Sequence, residues 1–493
     1  MSRKTELKVP DDLRQCQDMI LQMFEQMQNM QGQLDALLRA RYGTKSEALN
    51  LGQLRLFGEQ ATQDDIVQSS EEPVVVTATV GHGRKKPSKH LPRIRQIYDL
   101  PQDEMPCPSC RRVRDVIGEE TSEQYDYSPA SIQIIEHVRI KRACKHCNEH
   151  VVLAAKPEAV VEKGLAAPGM LAYVATSKFQ DHLPLNRLEG IFKRDGASIS
   201  RSTMCDWMAA TARCLLPLYE RMKQLVLQSE VIWTDDTPVK MQDRSDERNI
   251  RNARVWVYIG DAARPFTIFD FTQSRKRDGP VKFLGDFTGY LQADAFSGYD
   301  CIFAGGSVRE VACWAHARRK FYDAQSSART ACNEVLEMIQ ELYAIEKGSQ
   351  GLSSEERRCE RLCKSIPILQ KLKVWLDRQK LIALPKSPLG KAVTYALNNW
   401  TALCIFTEAG DLTIDNNKSE RAVRGTAVGR KNWLFVGSPE GGRTAAIITS
   451  FMATCRAHDI HPRVYLKDVL TRLAQGATDL DALLPGSWQP TCS

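Results

Sequence analysis

The first 58 residues carry a helical repeat of apolar positions. From Leu13 the apolar residues recur at alternating steps of three and four, at Cys16, Ile20, Met23, Met27, Met30, Leu34 and Leu37. A repeat of this kind forms the seam of a coiled coil, and no proline interrupts it. We predict that residues 1–58 form a helical segment through which copies of the chain assemble. The alternative is an amphipathic helix that packs on the protein's own core.

Residues 59–95 have the composition of a linker followed by a basic arm. Residues 59–75 contain five acidic side chains and no basic one. The stretch that follows is rich in Gly and Pro and carries the cluster Arg84, Lys85, Lys86 and Lys89. A flexible basic arm can lie along DNA phosphates, and a solvated run of charge is the alternative. We expect these four residues to contact DNA.

Two pairs of cysteines mark residues 96–160. Cys107 and Cys110 form one C-x-x-C pair, and Cys144 and Cys147 form a second pair after a spacer of 33 residues. Two such pairs converge on one tetrahedral ion, so they predict a structural Zn²⁺ site. Because a strand-like run lies between the pairs at residues 132–140, we predict a zinc ribbon with an enlarged hairpin.

Residues 161–228 are expected to be helical and to include a helix-turn-helix pattern. A first helix is predicted over residues 187–194, Gly196 supplies a tight turn, and Ser200 or Ser202 can cap a second helix that reaches Met208. Arg201 then lies at the start of the second helix, where it is expected to face DNA. Short helix pairs are common, so a purely structural pair is the alternative.

From residue 229 onward, short strand-like runs replace the helical pattern. They occupy residues 231–240, 254–259, 265–271 and 289–296, and helical stretches follow them. This order predicts a multidomain α/β protein whose central sheet is formed by residues 229–324 and 401–436. We interpret residues 325–400 as a helical insertion with one apolar stripe, formed by Val335, Met338, Ile339, Leu342 and Ile345. Residues 437–493 are expected to form a C-terminal helical element.

Carboxylates interrupt two of the predicted strands. Asp235 and Asp236 lie within the first strand, and because strand side chains alternate, only one of them points to a given face. Asp294 lies within the fourth predicted strand. Two carboxylates on neighbouring buried strands repel each other unless a cation compensates them. A divalent metal ion is the simplest such cation.

A third carboxylate follows in a basic segment at residues 415–431. Asp415 is predicted to be a helix N-cap, and Glu420 falls on the helix after it. The same segment contains the basic residues Arg421, Arg424, Arg430 and Lys431. Phosphodiester chemistry on DNA requires such a combination, because Mg²⁺ or Mn²⁺ ions held by carboxylates stabilise the attacking and leaving oxygens while cations hold the backbone. The sequence therefore predicts a metal-dependent site that acts on DNA.

Five motifs in this order resemble the insertion-sequence 66 family of DDE transposases. They lie at residues 234–239, 289–294, 313–321, 415–422 and 429–437. The resemblance implies a ribonuclease-H-like catalytic core in which Asp235, Asp294 and Glu420 bind Mg²⁺. The family commonly has Asp-Glu-Thr at the first motif, where this chain has Asp235, Asp236 and Thr237. Which of the two aspartates faces the metal ions is therefore an open question at this point.

The resemblance also implies roles for the Cys-Trp-Ala-His motif and a function for the chain. His316 is expected at the site as a contact to phosphate or metal, with a structural histidine as the alternative, and Arg318 and Arg319 are expected to contact DNA. The implied function is that of a DNA transposase that binds terminal inverted repeats, cleaves the element ends and joins them to target DNA. Companion proteins of the same element are implied as partners. A zinc-ribbon regulator with an inactive core and a hydrolytic nuclease without strand transfer are the alternatives.

Composition places limits on where the DNA-binding surface lies and on the compartment. The 493 residues carry 67 Lys and Arg against 60 Asp and Glu, a net charge of +7, so any basic surface must be local. The apolar runs fall short of the roughly 20 residues that span a bilayer. The 15 cysteines are an odd number without an export signal, which favours free thiols and metal ligands. We expect a cytoplasmic, nucleoid-associated protein without a membrane segment.

Overall fold

The computed structural model describes residues 164–245 and 249–490, together with residues 27, 30, 132, 134, 135, 141, 142, 152, 153 and 158–161. The chain divides into two compact units, residues 1–60 with 138–493 and residues 61–137, and the fold described below belongs to the first. The basic arm, the four zinc-binding cysteines and most of the N-terminal helix lie outside the described residues. Two positions of the predicted coiled-coil seam, Met27 and Met30, are helical with exposed side chains.

A short antiparallel pair brackets the second cysteine pair in sequence. Strands β1 (Lys141–Arg142) and β2 (Val152–Leu153) are paired, with Lys141 opposite Leu153. The residues between them include Cys144 and Cys147. The pair therefore forms a hairpin around that part of the predicted zinc module.

The main structural element is a mixed sheet of five strands. Its strands are β3 (Val231–Gln242), β4 (Ile250–Ile259), β5 (Thr267–Thr272), β6 (Gly289–Ala293) and β7 (Val308–Ala312). The order across the sheet is β5-β4-β3-β6-β7, with β3, β4 and β5 antiparallel and β6 and β7 parallel to β3. The four strand-like runs of the sequence all became strands, and β7 was not predicted. Asp294 lies directly after β6 and not inside it, which corrects the predicted strand end.

Three helices precede the sheet and include the predicted helix-turn-helix. They are α1 (Pro168–Phe179), α2 (Leu185–Arg194) and α3 (Arg201–Val226). Gly196 adopts a φ of +84° in the turn, and the Ser200 hydroxyl accepts the N–H of Thr203 at 3.2 Å, so both predicted turn signals are confirmed. Helix α3 extends far past Met208, because its C-terminal part packs on the sheet. There the Tyr219 hydroxyl donates to the carbonyl oxygen of Phe269 at 2.8 Å.

The remaining helices lie between the strands and after them in the sequence. Between the strands lie α4 (Asp278–Leu284) and α5 (Asp300–Phe303), and after β7 come α6 (Trp314–Ala324), α7 (Arg329–Gly348), α8 (Ser354–Glu360), α9 (Ile366–Ile382), α10 (Pro388–Asn398), α11 (Trp400–Cys404) and α12 (Asn417–Trp433). The chain ends with α13 (Pro439–Ala457) and α14 (Pro462–Ala474). A π-helical segment, Arg361–Ser365, joins α8 to α9. None of the described helices is long and apolar enough to cross a bilayer.

The helical insertion shares one hydrophobic core with the sheet. On α7 the stripe residues Val335, Ile339 and Leu342 are fully buried in the same cluster as Val231 and Trp314. The apolar stripe is therefore core, as the periodicity predicted. This packing makes the insertion a structural support of the sheet.

Helix α13 covers the edge strand β5 and satisfies its backbone donors. The Ser450 hydroxyl accepts the N–H of Phe269 at 2.8 Å, and the Thr454 hydroxyl accepts the N–H of Thr267 at 3.1 Å. Both hydroxyls are buried. An edge strand that is covered in this way cannot pair with another chain through those groups.

Candidate active site

Three acidic residues from separate parts of the sequence meet at the centre of the sheet. Asp235 lies within β3, opposite Val257 of β4, and Asp294 follows the end of β6. Strands β3 and β6 are parallel neighbours, so their residues Ile232 and Leu291 lie side by side. Glu420 lies in the first turn of α12. The structure thus brings together the three carboxylates that the sequence indicated.

Gln292 ties the segment before α12 to the sheet. This residue is fully buried in β6, and its side-chain amide donates to the carbonyl oxygen of Asp415 at 2.9 Å. Its side-chain oxygen accepts the hydroxyl of Thr413 at 2.9 Å, and the indole N–H of Trp233 donates to the same hydroxyl at 2.9 Å. Because β3 and β6 both hold Thr413, the approach to Glu420 is fixed relative to Asp235 and Asp294.

Asn416 is the N-cap residue of α12, which corrects the prediction that Asp415 caps this helix. The fully buried side chain of Asn416 donates to the carbonyl oxygen of Thr234 at 2.8 Å, and its backbone N–H donates to the Cys313 sulfur at 3.2 Å. The Asp415 carboxylate instead accepts the backbone N–H and the side-chain amide of Asn417, at 3.2 Å and 2.8 Å. Asn416 therefore joins the start of α12 to the strand that carries Asp235.

The electrostatics of Asp235 show the cost of placing carboxylates here. Burial raises the pKa of Asp235 well above its usual value, and the charges of Asp294 and Glu420 raise the pKa further. One opposing effect is the backbone N–H of Asp236, which donates to the Asp235 carboxylate at 2.7 Å. A cation bound between these acids would remove both penalties. The site therefore fits a divalent metal ion.

Asp294 has partial electrostatic compensation from two basic side chains. Burial raises its pKa, while His316 and Arg275 lower it. An Arg275 Nη2 atom lies 3.6 Å from a carboxylate oxygen of Asp294, which is longer than a good charge-assisted hydrogen bond. Asp294 is thus available to a metal ion that binds it more closely.

Asp236 has a different environment from Asp235. Its side chain is 2% exposed, and its carboxylate accepts hydrogen bonds from Arg254 at 2.8 Å and from Arg275 at 2.7 Å and 3.0 Å. Both of its oxygens are engaged by guanidinium groups. Of the two neighbouring aspartates, Asp235 is therefore the one that forms no ion pair with a basic side chain within the part of the chain that the structure describes, and it lies beside Asp294 and Glu420.

His316 lies beside Glu420. The His316 Nδ1 atom is 3.7 Å from a Glu420 oxygen, and it is buried without a hydrogen-bond partner among the described residues. The Cys313 sulfur belongs to the same group of atoms, which lie within 4.8 Å of one another. Burial raises the pKa of the Cys313 thiol well above its ordinary value, and the sulfur accepts the backbone N–H of Asn416.

The predicted DNA-contacting residues fall into exposed and buried groups. Exposed side chains belong to Arg201, Arg421, Arg424 and Lys431. Arg319 and Arg430 are partly buried, and Arg430 donates to the Thr237 hydroxyl at 2.9 Å. Arg318 is 5% exposed and lies on the buried stripe of α6. It therefore does not offer the surface contact that was predicted from the sequence. Arg84, Lys85, Lys86 and Lys89 lie outside the described residues.

Sequence reasoning missed three polar residues that build the site. Gln292 gave a signal, because a large amide inside the apolar run 289–293 needs hydrogen-bond partners. Asn416 gave a weaker one as part of the Asp-Asn-Asn run. Arg275 gave none, since it lies in a surface loop before α4 and reaches the site only through the fold.

Comparison with known proteins places the whole chain in one group. A family model described as "Transposase IS66 family" matches residues 163–444, which include Asp235, Asp294 and Glu420. The chain belongs to the IS66 transposase family. Further IS66 models match residues 104–148, described as a zinc-finger binding domain, and residues 450–485, described as the C-terminal element. A model described as "Transposase C of IS166 homeodomain" matches residues 29–95.

The relatives of this IS66 family member include three uncharacterized proteins of Sinorhizobium fredii (strain NBRC 101917 / NGR234). Protein y4jD is 30% identical, and the match covers 98% of this chain and 97% of the relative. Protein y4hP is 30% identical with 92% and 88% covered, and y4qI is 31% identical with 94% and 90% covered. The zinc-finger match contains Cys107, Cys110, Cys144 and Cys147, which supports a structural Zn²⁺ in this transposase family member.

Proposed function

We propose that the chain is a DNA transposase that binds the terminal inverted repeats of an insertion sequence, cleaves at the element ends and joins the 3′ ends to target DNA. The observation that carries this proposal is the convergence of Asp235, Asp294 and Glu420 around a position where burial and mutual repulsion call for a cation. A pair of Mg²⁺ or Mn²⁺ ions there supplies Lewis acidity at the attacking and leaving oxygens of a phosphodiester. Family membership supports the same activity.

Each residue of the site has a proposed task. The carboxylates of Asp235, Asp294 and Glu420 hold the metal ions. His316, whose Nδ1 atom lies 3.7 Å from a Glu420 oxygen, is the proposed contact to the phosphate or to a metal ion. The exposed Arg421, one residue further on α12, binds the DNA backbone beside the acids. These groups place a DNA phosphate within reach of water and later of a 3′-hydroxyl.

The strand arrangement supports a ribonuclease-H-like core. Three antiparallel strands are followed by two strands parallel to the first, and the order across the sheet is third, second, first, fourth and fifth. In such a core the first acid lies on the first strand, the second after the fourth strand and the third on a later helix. Asp235, Asp294 and Glu420 occupy those three positions.

The segments proposed for DNA binding and for assembly complete the proposal. The zinc module, the basic arm and the helix-turn-helix of α2 and α3 bind the terminal repeats, with Arg201, Arg424 and Lys431 as further contacts. The N-terminal helix joins copies of the chain so that two DNA ends are held together. Companion proteins of the same element are proposed as further partners, and association with the nucleoid follows from the DNA binding. The domain limits predicted from the sequence are proposed with this arrangement.

The test uses the full chain and labelled DNA that carries the ends flanking its reading frame. With Mg²⁺ we expect cut ends and joined products. Asp294→Asn should abolish cleavage and keep end binding, while the exposed Asp286→Asn serves as the matched control. Normal cleavage by Asp294→Asn contradicts the site. Binding without cutting by the wild type supports a regulator with an inactive core, and cutting without joining supports a hydrolytic nuclease.

A further inference from the structure

We propose that Arg275 binds a non-bridging oxygen of the DNA phosphate that is cut, and that Asp236 is the positioning residue that holds Arg275 there. This inference rests on the proposed function, because it names the group that the same site presents to its substrate. It concerns a residue that the sequence motifs did not indicate. Four observations on Arg275 and its neighbours carry it.

The first observation is that one carboxylate, Asp236, pairs with two positively charged side chains. This carboxylate is 2% exposed and pairs with both Arg254 and Arg275, so a single negative charge faces two guanidinium groups. Arg254 approaches one carboxylate oxygen at 2.8 Å, and Arg275 holds the other through Nε and Nη2 at 3.0 Å and 2.7 Å. The pair of arginines therefore carries one positive charge that Asp236 does not neutralise.

The second observation is the rigidity of the Arg275 side chain. Its guanidinium carbon lies 3.9 Å from the ring centroid of Phe296, a stacked cation–π arrangement. The Phe296 ring in turn packs edge-on against Tyr299 at 5.7 Å and in a tilted arrangement against Trp256 at 6.1 Å. An arginine fixed by a carboxylate and an aromatic face loses little further freedom when it binds a ligand.

The third observation is the position of the Arg275 guanidinium group between the proposed metal site and solvent. Arg275 Nη2 lies 3.6 Å from Asp294, so the guanidinium group borders the proposed metal site. The side chain is nevertheless 38% exposed. Among the described residues its Nη1 atom makes no hydrogen bond, so this edge of the fork remains available to a ligand from solvent.

The fourth observation excludes a simpler role for Arg275 as a permanent counterion of Asp294. A counterion should approach the carboxylate at about 2.8 Å, but the two groups are 3.6 Å apart and Arg275 makes its close contacts with Asp236. When a metal ion binds Asp294, the Arg275 guanidinium group remains beside the ion and still has N–H groups that no acceptor in the described part of the chain uses. A planar fork of this kind matches the two oxygens of a phosphate.

The first measurement is DNA binding with Ca²⁺ in place of Mg²⁺. Two end DNAs are compared, one with a normal phosphodiester at the cleavage position and one with an uncharged methylphosphonate. Wild-type protein should bind the methylphosphonate DNA more weakly, and Arg275→Ala should lose the part of this discrimination that does not come from the Ca²⁺ ions, so that its two affinities lie closer together. Arg277→Ala, an exposed arginine two residues away, should behave as the wild type. Wild-type discrimination by Arg275→Ala would overturn the inference.

The second measurement is the rate of the first cut in preassembled complexes with Mg²⁺. Loss of one donor to the transition state costs on the order of 100-fold in rate, and we expect that for Arg275→Ala. Arg275→Lys should recover only part of the rate, because lysine keeps the charge without the fork. Asp236→Asn should lower both the rate and the methylphosphonate discrimination, and Asp236→Glu should restore them. Equal rates for Asp236→Asn and the wild type would contradict the positioning role.

The two measurements separate this inference from the proposed function. If the wild type binds its ends but never cuts them, the proposed function fails, and the Ca²⁺ binding comparison still decides the role of Arg275. If the wild type cuts and the Arg275 variants keep full discrimination, the inference fails alone. Thermal unfolding of each variant shows whether it is folded, and Arg275→Gln replaces Arg275→Ala if the latter is not.

Discussion

The side-chain amide of Asn416 donates a 2.8 Å hydrogen bond to the carbonyl oxygen of Thr234, the residue that precedes Asp235. This bond connects the start of α12 with β3 through two residues that are 182 positions apart in the sequence. Asp235 and Glu420 lie one and four residues from the bonded pair. The distance between these two candidate metal ligands therefore depends on Asn416.

Asn416→Ala should lower both the free energy of unfolding and the rate of cleavage. The change leaves the buried carbonyl oxygen of Thr234 without its donor, which costs about 1–3 kcal/mol in the free energy of unfolding. Glu420 then loses its fixed position, so the rate of Mg²⁺-dependent cleavage should fall while end binding persists. Urea unfolding and single-turnover cleavage measure the two effects. Asn432→Ala, at an exposed position of the same helix, should change neither, and equal behaviour of both variants would contradict the role of Asn416.

Arg361 should be the most sensitive basic residue of the helical insertion. It is 1% exposed, pairs with Glu346 through two hydrogen bonds of 2.8 Å and 2.7 Å, and donates to the carbonyl oxygens of Phe406, Ala409 and Leu412. Arg361→Met leaves the partly buried Glu346 and three carbonyl oxygens without their donor, so we expect a loss of roughly 3 kcal/mol in unfolding free energy. Because these carbonyls belong to the segment before Asp415, cleavage should also decline.

The control for Arg361 is Arg358, which forms an exposed ion pair with Glu355 close by on α8. Solvent screens such exposed pairs, so Arg358→Met should leave the unfolding curve nearly unchanged. Similar losses for the two variants would show that burial and carbonyl bonding at Arg361 do not set its importance.

Asp415 should make the stability of the metal-free protein depend on pH. Burial raises the pKa of Asp415 to about 6, against an ordinary value of 3.8. Between these two values the folded protein keeps a proton that the unfolded chain has lost, so the contribution of Asp415 is full below about pH 4 and is lost as pH rises to about 6. The two pKa values differ by an amount that corresponds to roughly 3 kcal/mol.

The measurement compares urea unfolding of the wild type and Asp415→Asn at several pH values. The stability difference between wild type and variant should shift against the wild type by roughly 3 kcal/mol from pH 4 to pH 7. Asp286→Asn, at an exposed position, should follow the wild type at every pH. Parallel curves for the wild type and Asp415→Asn would show that Asp415 keeps an ordinary pKa.

The three acidic residues of the candidate site could be predicted from the sequence, but the residues that hold them in place could not. Asp235 and Asp294 were recognisable because a carboxylate in an apolar strand-like run is costly, and Glu420 because of its motif. The partners that hold these acids depend on long-range contacts that periodicity does not encode. Arg275 reaches Asp236 and Asp294 only through the finished sheet, in which two strands, β4 and β3, lie between β5 and β6.

The burial of Arg318 could have been predicted from the helical spacing of its neighbours, but the basic motif around it favoured an exposed position. Trp314, Ala317, Arg318 and Phe321 are spaced at i, i+3, i+4 and i+7, the spacing of one helix face, and all four are buried. The helical period therefore placed Arg318 on the core side of α6. Its position in a basic motif led to the opposite interpretation, because sequence alone does not rank burial of a helix face above the preference of arginine for water.

The four cysteines of the zinc module give the last prediction. Cys107, Cys110, Cys144 and Cys147 lie outside the described residues, but their spacing and the zinc-finger family match favour one tetrahedral Zn²⁺ per chain. Cys144→Ser should release the metal, because a neutral hydroxyl replaces a thiolate ligand. Since β1 and β2 bracket this cysteine pair, the hairpin should lose order and end binding should weaken. Metal analysis of purified protein and end-DNA titration measure these effects. Cys359→Ser, at an exposed free cysteine, should keep both the zinc and the affinity, and a zinc-free wild-type protein would contradict the site.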